Sequence, residues 1–458
     1  MRRRKTWIAP LAATLTLLVP AVASAQGGVA PGAPGASANW MTGNKQGLGT
    51  SVGTRSKVWY TLSDGALSEV YFPRGDSANV RSLEFAVTDG ASFVDRESKD
   101  TDHAVRLADG QSLTYEQVNT AKSGRYRITK TYVTDPERAT VLMRIRFEAL
   151  TPGDYRLFVL YDPALGNSSR HDDASRHGGG RDVALLAGEG DVASALVAST
   201  GFARTSSGFA GVSDGWTDLE GNRQLDWSYD SAPNGNVLQT GEVPVKGDAT
   251  TFTLALGFAE SPAAAEQTAR ASLARSFPER AGAYQRGWHE YLDSLHPAGR
   301  AARRADRCDT GLTGRPRTQY QVAVMTVKAH EDKTYRGAYI ASLTLPWGFA
   351  VNADEGGGGY HFVWARDLYH QATGMLAAGD RAAADRTVTW LFERQQRPDG
   401  TFPQNSKVDG TPDQTNLQLD EVAFPIVLAW QLGRTDGALY RDHIKNCLLY
   451  TSPSPRDS

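Results

Sequence analysis

Cysteine is nearly absent from this 458-residue chain: there are two, Cys308 and Cys447. With no CxxC and no HExxH, nothing resembles a zinc site, and no metal ligands are assigned. Both cysteines lie in atypical stretches, so no disulfide is expected. A basic excess is also missing. The formal net charge is −2, which argues against nucleic acid, whose affinity comes mostly from phosphate neutralisation. It argues equally against a polyanionic substrate. Beyond the N-terminus no apolar run approaches the ~20 residues that a membrane span needs. Gly356 to Gly359 is glycine-rich, but no strand leads into it and no GK[ST] follows, so it is not a phosphate cradle. A flexible loop near a binding pocket is the better expectation.

What is present begins with a secretory signal. Arg2, Arg3, Arg4 and Lys5 form a positive start, and Ile8 to Val22 is a short apolar run broken by Pro10 and Pro20. Ala23-Ser24-Ala25 is a small-residue cleavage site. Residues 1–25 are therefore expected to be removed, and the protein to be exported and soluble rather than anchored. The remainder is long enough for two or three domains at about 150 residues each.

Two hydrophobic periods divide it. From about residue 50 to 260 the period is two. Met143, Ile145 and Phe147 interleave with Arg144, Arg146 and Glu148; Phe252, Leu254, Leu256 and Phe258 interleave with Thr253, Ala255 and Gly257. Tyr126 to Val133 alternates too, with Lys130 on the otherwise apolar side. Turn signals such as Ser63-Asp64-Gly65 and Thr88-Asp89-Gly90 separate these runs. The pattern predicts an N-terminal antiparallel β-sandwich over 26–261. Pro262 to Leu295 reads as one or two connecting helices within a linker over 262–316, of which 298–316 is Arg-dense and anomalous. Beyond 317 the period is helical. Stripes are predicted at Tyr320-Ala323-Val324-Val327, Leu368-Ala372-Met375-Leu376, Ala384-Val388-Leu391 and Leu419-Val422-Ala423-Ile426-Trp430. Asp380 is placed to cap the third, and Pro425 to kink the fourth. Strands first and helices after imply separate domains.

The densest chemistry is Tyr360-His361-Phe362-Val363-Trp364-Ala365-Arg366-Asp367. Aromatic faces cover the C–H patches of a pyranose. A guanidinium fork and a carboxylate hold vicinal hydroxyls. The combination suits a neutral, hydroxyl-rich ligand. Ten Trp and seventeen Tyr agree with that only weakly.

Five ordered motifs carry a resemblance: Tyr335 to Ser342, Leu345-Pro346-Trp347-Gly348, Val363 to Tyr369, Asp399 to Ser406, and Leu417 to Pro425. With Tyr60 to Pro73 ahead of them, the chain resembles bacterial glucoamylases and glucodextranases of glycoside hydrolase family 15. The resemblance implies a large sandwich followed by an all-α (α/α)6 barrel, with residues 317–446 as its first half. It implies an inverting exo-hydrolase that removes glucose from the non-reducing end of an α-glucan or oligosaccharide, using two carboxyls about 6.5–9.5 Å apart. No cofactor is implied. Related sandwich domains can carry calcium, but no ligand cluster places a site. A monomer is expected.

Carried over position by position, Arg366 and Asp367 match the pair that holds the distal hydroxyls of the terminal glucose; a surface salt bridge is the plain alternative. Trp364 and Trp347 either wall the pocket or belong to the core. Asp420 and Glu421 are read as pocket scaffold, because helical neighbours point about 100° apart; Glu421 as general acid is the lesser alternative. The resemblance puts the general acid about 90 residues beyond Asp367 and the base farther on, so both are expected past Asn446. Residues 447–458 depart from the family and read as an artefactual tail, and the chain is expected to be an inactive fragment. A non-hydrolytic carbohydrate-binding protein and an α,α-trehalase are the alternatives. The choice between α-1,4 and α-1,6 linkages stays open.

Overall fold

The computed structural model describes residues 27–37, 39–295, 315–345, 359–434 and 437–451. Residues 1–26, where a secretory signal is expected, Cys308, Trp347 and residues 356–358 lie outside them. Strands come first: β1 (Gly47–Gly49), β2 (Trp59–Ser63), β3 (Ala66–Tyr71), β4 (Val80–Thr88), β5 (Val94–Arg96), β6 (Thr101–Leu107), β7 (Tyr115–Ala121), β8 (Tyr126–Thr134) and β9 (Thr140–Ala149). They continue as β10 (Arg156–Pro163), β11 (Asp172–Gly179), β12 (Asp182–Glu189), β13 (Val192–Ala198), β14 (Arg204–Phe209), β15 (Ser231–Gly235), β16 (Val237–Val243) and β17 (Ala249–Ala259). Two antiparallel sheets result. One runs β1-β2-β3-β4-β10-β16-β14 with β5 against β4; the other runs β15-β11-β12-β13-β17-β9-β8-β7-β6. This is the sandwich that the period-two pattern predicts.

The alternation explains the burial. In β9, Met143, Ile145 and Phe147 are buried while Arg144 and Arg146 face solvent. In β8 the buried face includes Lys130. Its ammonium lies 2.8 Å from Glu97 and donates to the Gly65 carbonyl at 2.6 Å. That carbonyl belongs to the hairpin turn between β2 and β3, where Asp64 and Gly65 both have positive φ (47° and 75°). Such a two-residue turn matches strand twist, and Asp-Gly is a favoured pair for it. The lysine on the apolar side thus pins a hairpin from inside the sandwich.

The helices follow: α1 (Glu97–Asp100) and α2 (Gly215–Asn222) within the sandwich, then α3 (Pro262–Leu273), α4 (Phe277–Ser294), α5 (Arg315–Ala329), α6 (Ala365–Ala378), α7 (Arg381–Trp390), α8 (Leu419–Gln431) and α9 (Lys445–Thr451). α3 packs on β13 and β17, with Ala265 and Ala269 against Gly257, where a Cβ would meet backbone within 3 Å. One continuous buried apolar cluster runs from between the sheets into the helices.

Polar bonds fix the seam between sandwich and helices. Trp59 donates its indole N–H to the Ala329 carbonyl at 2.8 Å, and Trp288 to the Thr50 carbonyl at 3.0 Å. Asp332 accepts from the Gly75 N–H, and Asp76 from the Val408 N–H, both at 2.9 Å. Buried Glu331 gathers Lys328 of α5 (2.7 Å), Arg336 (2.9 Å) and Arg386 of α7 (3.0 Å). Asp380 caps α7 by accepting from Ala383 N–H, and also receives Tyr291 of α4 and Lys328.

Two predicted stripes are rotated. α5 buries Gln321, Val324, Met325 and Lys328, leaving Tyr320 exposed. The ion pairs of Lys328 with Glu331 and Asp380 turn that face inward. α8 buries Glu421, Val422, Pro425, Leu428 and Ala429, while Leu419 and Trp430 are 68% and 71% exposed. The helix continues through Pro425. It is apolar on two sides, so apolar periodicity does not choose between them. Cys447 is buried, its thiol donating to the Gly400 carbonyl.

Burial pushes the Glu331 carboxyl up, but Lys328 and the two arginines outweigh it and hold the pKa at about 2. Its stabilisation is therefore full above about pH 4.5 and is lost as the pH falls through about 2. Glu331→Gln leaves buried Lys328 and the half-buried Arg336 and Arg386 short of their partner and is expected to cost about 3 kcal/mol at pH 7. Urea unfolding checks this; a loss below 1 kcal/mol contradicts it.

Candidate functional site

Backbone bridges bring the Tyr360–Asp367 stretch to the seam. The Ala341 N–H donates to the Phe362 carbonyl and the Ser342 N–H to the Tyr360 carbonyl, each at 2.9 Å. Val363 and Ser406 exchange both backbone bonds, and the Gln395 amide donates to the Val363 carbonyl and to Ser406 Oγ at 3.0 Å each. His361 is sealed beneath, stacked on Phe362 at 4.5 Å and tilted against Tyr71 of β3 at 6.5 Å. Burial, with Lys407 next, pushes its imidazole down to about 4, so the floor of the site is neutral.

From that floor the chain turns into α6. Trp364 is the N-cap, buried with 9% of its surface exposed and tilted against Tyr360 at 6.4 Å. An indole cannot accept a helix N–H, so the first turn needs an acceptor from elsewhere. Glu421 of α8 supplies it: its Oε2 accepts from the Arg366 N–H at 2.8 Å. α6 ends on Gly379 (φ +99°), whose N–H returns to the Leu376 carbonyl while Asp380 N–H reaches Met375. Tyr369 of α6 stacks on Phe424 of α8 at 4.5 Å, holding the two helix starts side by side.

The Arg366 guanidinium lies among three carboxylates. Nη1 donates to Asp420 Oδ2 at 2.9 Å and lies 3.4 Å from Glu421 Oε1; Nη2 lies 3.4 Å from Asp367 Oδ2. Gln418 Oε1 also accepts from Nη1, at 3.4 Å. Arg366, Asp367 and Asp420 are each about two-fifths exposed, whereas Glu421 is fully buried. Asp420 is nudged up by desolvation, but the Arg366 hydrogen bond prevails and holds it below the usual carboxylate range. Glu421 goes the other way: burial first, then the Asp420 and Asp367 charges, raise it to about 7 against the pull of Arg366.

The structure thus joins Arg366, Asp367, Trp364 and Glu421, while Trp347 lies outside the described residues. Asp420 and Glu421, neighbours expected to diverge, both reach the same guanidinium nitrogen, Nη1, at 2.9 and 3.4 Å, while Nη2 faces Asp367. Sequence reasoning missed Gln418 as a contact and Glu421 as the cap of another helix. The acidic pair opening an apolar run marks a helix start, but which second helix start it serves is a tertiary matter. Among the described residues no group of three or more His, Cys, Asp or Glu could hold a metal ion. No described helix is long and apolar enough to cross a membrane.

A carboxyl whose pKa rises on folding contributes stability that is complete below about pH 4.5 and is lost as the pH rises through about 7. The wild type should therefore lose about 2 kcal/mol more than Glu421→Gln between pH 5 and pH 8. Urea midpoints at the two pH values measure the difference; parallel declines would contradict it.

Residues 30–293 match the family described as "Glucodextranase, domain N", and residues 314–399 match "Glycosyl hydrolases family 15". A glucoamylase of Clostridium sp. (strain G0005) is 39% identical over 414 residues, which are 90% of this chain and 56% of that protein. The crystal structure of a bacterial glucoamylase complexed with acarbose is similar at a TM-score of 0.84 and 37% identity, covering 93% of this chain and 61% of that one. The chain thus spans somewhat over half the length of both relatives. With the sandwich and the helices behind it both matched in order, the chain belongs to the bacterial glucoamylase and glucodextranase group of glycosyl hydrolase family 15.

Proposed function

We propose that this chain is the sandwich and adjoining helices of a secreted exo-acting α-glucan glucohydrolase that releases glucose from non-reducing ends with inversion. The observation that carries the reading is the Arg366–Asp367 pair at the start of α6. Both side chains are partly exposed, and Arg366 is held from behind by Asp420 and Gln418. A pyranose offers vicinal hydroxyls that a fork and a carboxylate hold together, and apolar faces that Trp364 and Tyr360 cover. The relative's complex with acarbose supports a ligand of this class. Export is supported by Arg2 to Lys5, the apolar run behind them and Ala23-Ser24-Ala25.

Inversion needs two carboxyls on opposite faces of the scissile bond, about 6.5–9.5 Å apart. Asp367, Asp420 and Glu421 all crowd one guanidinium within 3.4 Å. That arrangement holds a ring rather than flanking a bond, so the general acid and base are assigned to none of them. Titration calorimetry with acarbose tests the clamp. The double variant Arg366→Ala, Asp367→Ala, with its circular dichroism unchanged, should bind about a hundredfold more weakly, from the loss of two charge-assisted hydrogen bonds. Equal affinity would remove the basis of the proposal.

A further inference from the structure

Glu421 carries two oxygens with different fates. Oε2 caps α6 through the Arg366 N–H at 2.8 Å. Oε1 is sealed from solvent and makes no hydrogen bond, although Arg366 Nη1 lies only 3.4 Å away. Nη1 instead donates to Oδ2 of Asp420, whose side chain is 40% exposed, at 2.9 Å. An ionised carboxylate would leave a charged, buried oxygen without a donor, which is costly. A proton on Oε1 removes that charge.

We propose that Glu421 holds a proton in the resting site, and that releasing it draws the Arg366 guanidinium from Asp420 onto Glu421, making Glu421 the positioning residue of the clamp. The proton leaves to solvent, and no other bond changes. Once ionised, Oε1 is the stronger partner for Nη1, because Asp420 is screened by water and Glu421 is not. The 3.4 Å gap then closes to a charge-assisted bond of about 2.8 Å. The charged groups that face Glu421 are Arg366 and Asp367 from α6 and Asp420 from its own helix. Burial and the two carboxylates favour the protonated form, and Arg366 opposes them. For the proton and the movement of Arg366 the inference stands on this geometry; for its effect on binding it rests on the proposed sugar clamp. With Arg366 withdrawn from the ligand side at alkaline pH, affinity for a clamped sugar falls.

Nuclear magnetic resonance on protein labelled in glutamate carboxyl carbons and arginine side-chain nitrogens tests the proton and the movement without ligand. One carboxyl resonance is expected to titrate with a midpoint near neutrality and to vanish in Glu421→Gln. The Arg366 side-chain signal, identified by its loss in Arg366→Lys, should shift with the same midpoint and lie flat in Glu421→Gln. Asp420→Asn, which removes a repelling charge, should lower the midpoint. No titrating carboxyl above pH 6 that Glu421→Gln removes, or an Arg366 signal indifferent to it, overturns the proposal. In calorimetry, acarbose affinity should fall about tenfold from pH 5.5 to pH 8.5 in the wild type and stay level in Glu421→Gln. A level wild-type profile overturns the coupling to binding. Absence of acarbose binding at every pH overturns the sugar-clamp reading instead, and the resonance titration then decides this one alone.

Discussion

Glu331 is the charge on which the helical part is organised. It is nearly inaccessible, and it draws Lys328 and Arg336 from either side of it in the chain, and Arg386 from α7, onto one carboxylate. Desolvating so many charges is costly, and the cost is offset only where each finds a well-placed partner. Here the same lysine also reaches Asp380, the cap of α7. The adjacent Asp332 binds the sandwich backbone at Gly75. The neighbouring carboxylates Glu331 and Asp332 thus set the helices relative to one another and to the sheets. The Tyr360–Asp367 stretch inherits its position from that frame.

At the site the balance of charge is reversed. One guanidinium serves three carboxylates, so negative charge is in excess around a ligand expected to be neutral. The excess is tolerable because two of the three are partly solvated and the third, Glu421, is pushed towards its neutral form by burial. Glu421 therefore has two tasks that pull in opposite directions. Capping α6 favours its charge, whereas burial beside Asp420 and Asp367 opposes it. This opposition places its titration near neutrality rather than in the ordinary carboxylate range.

The two faces of α8 show how packing divides labour on one short helix. One face carries Glu421 and Val422 into the interior; the other presents Leu419, Val427 and Trp430 to solvent. Tyr369 stacking on Phe424 binds α8 to α6, which keeps Asp420 and Glu421 within reach of Arg366. Apolar contact and ion pairing are coupled here: a shift of α8 along α6 would break the cap and the clamp together.

Much of this was legible in the residues. Period-two alternation in β8, β9 and β17 required two-sided strands, and Asp64-Gly65 required a tight hairpin, because each follows from local backbone geometry. The Asp380 cap and the helical order beyond residue 317 were legible for the same reason. Arg366 and Asp367 stood out by type and adjacency. What the sequence could not determine was facing. α5 and α8 carry apolar residues on more than one side, and the partners that Lys328 and Glu421 meet after folding decide which side turns inward. Nor could it show that Glu421 caps a helix through the N–H of Arg366, 55 residues earlier, or that Lys130 secures a turn 65 residues away. Those contacts exist only after folding brings separate segments together, since a buried charge takes whichever partner the packed interior leaves within reach.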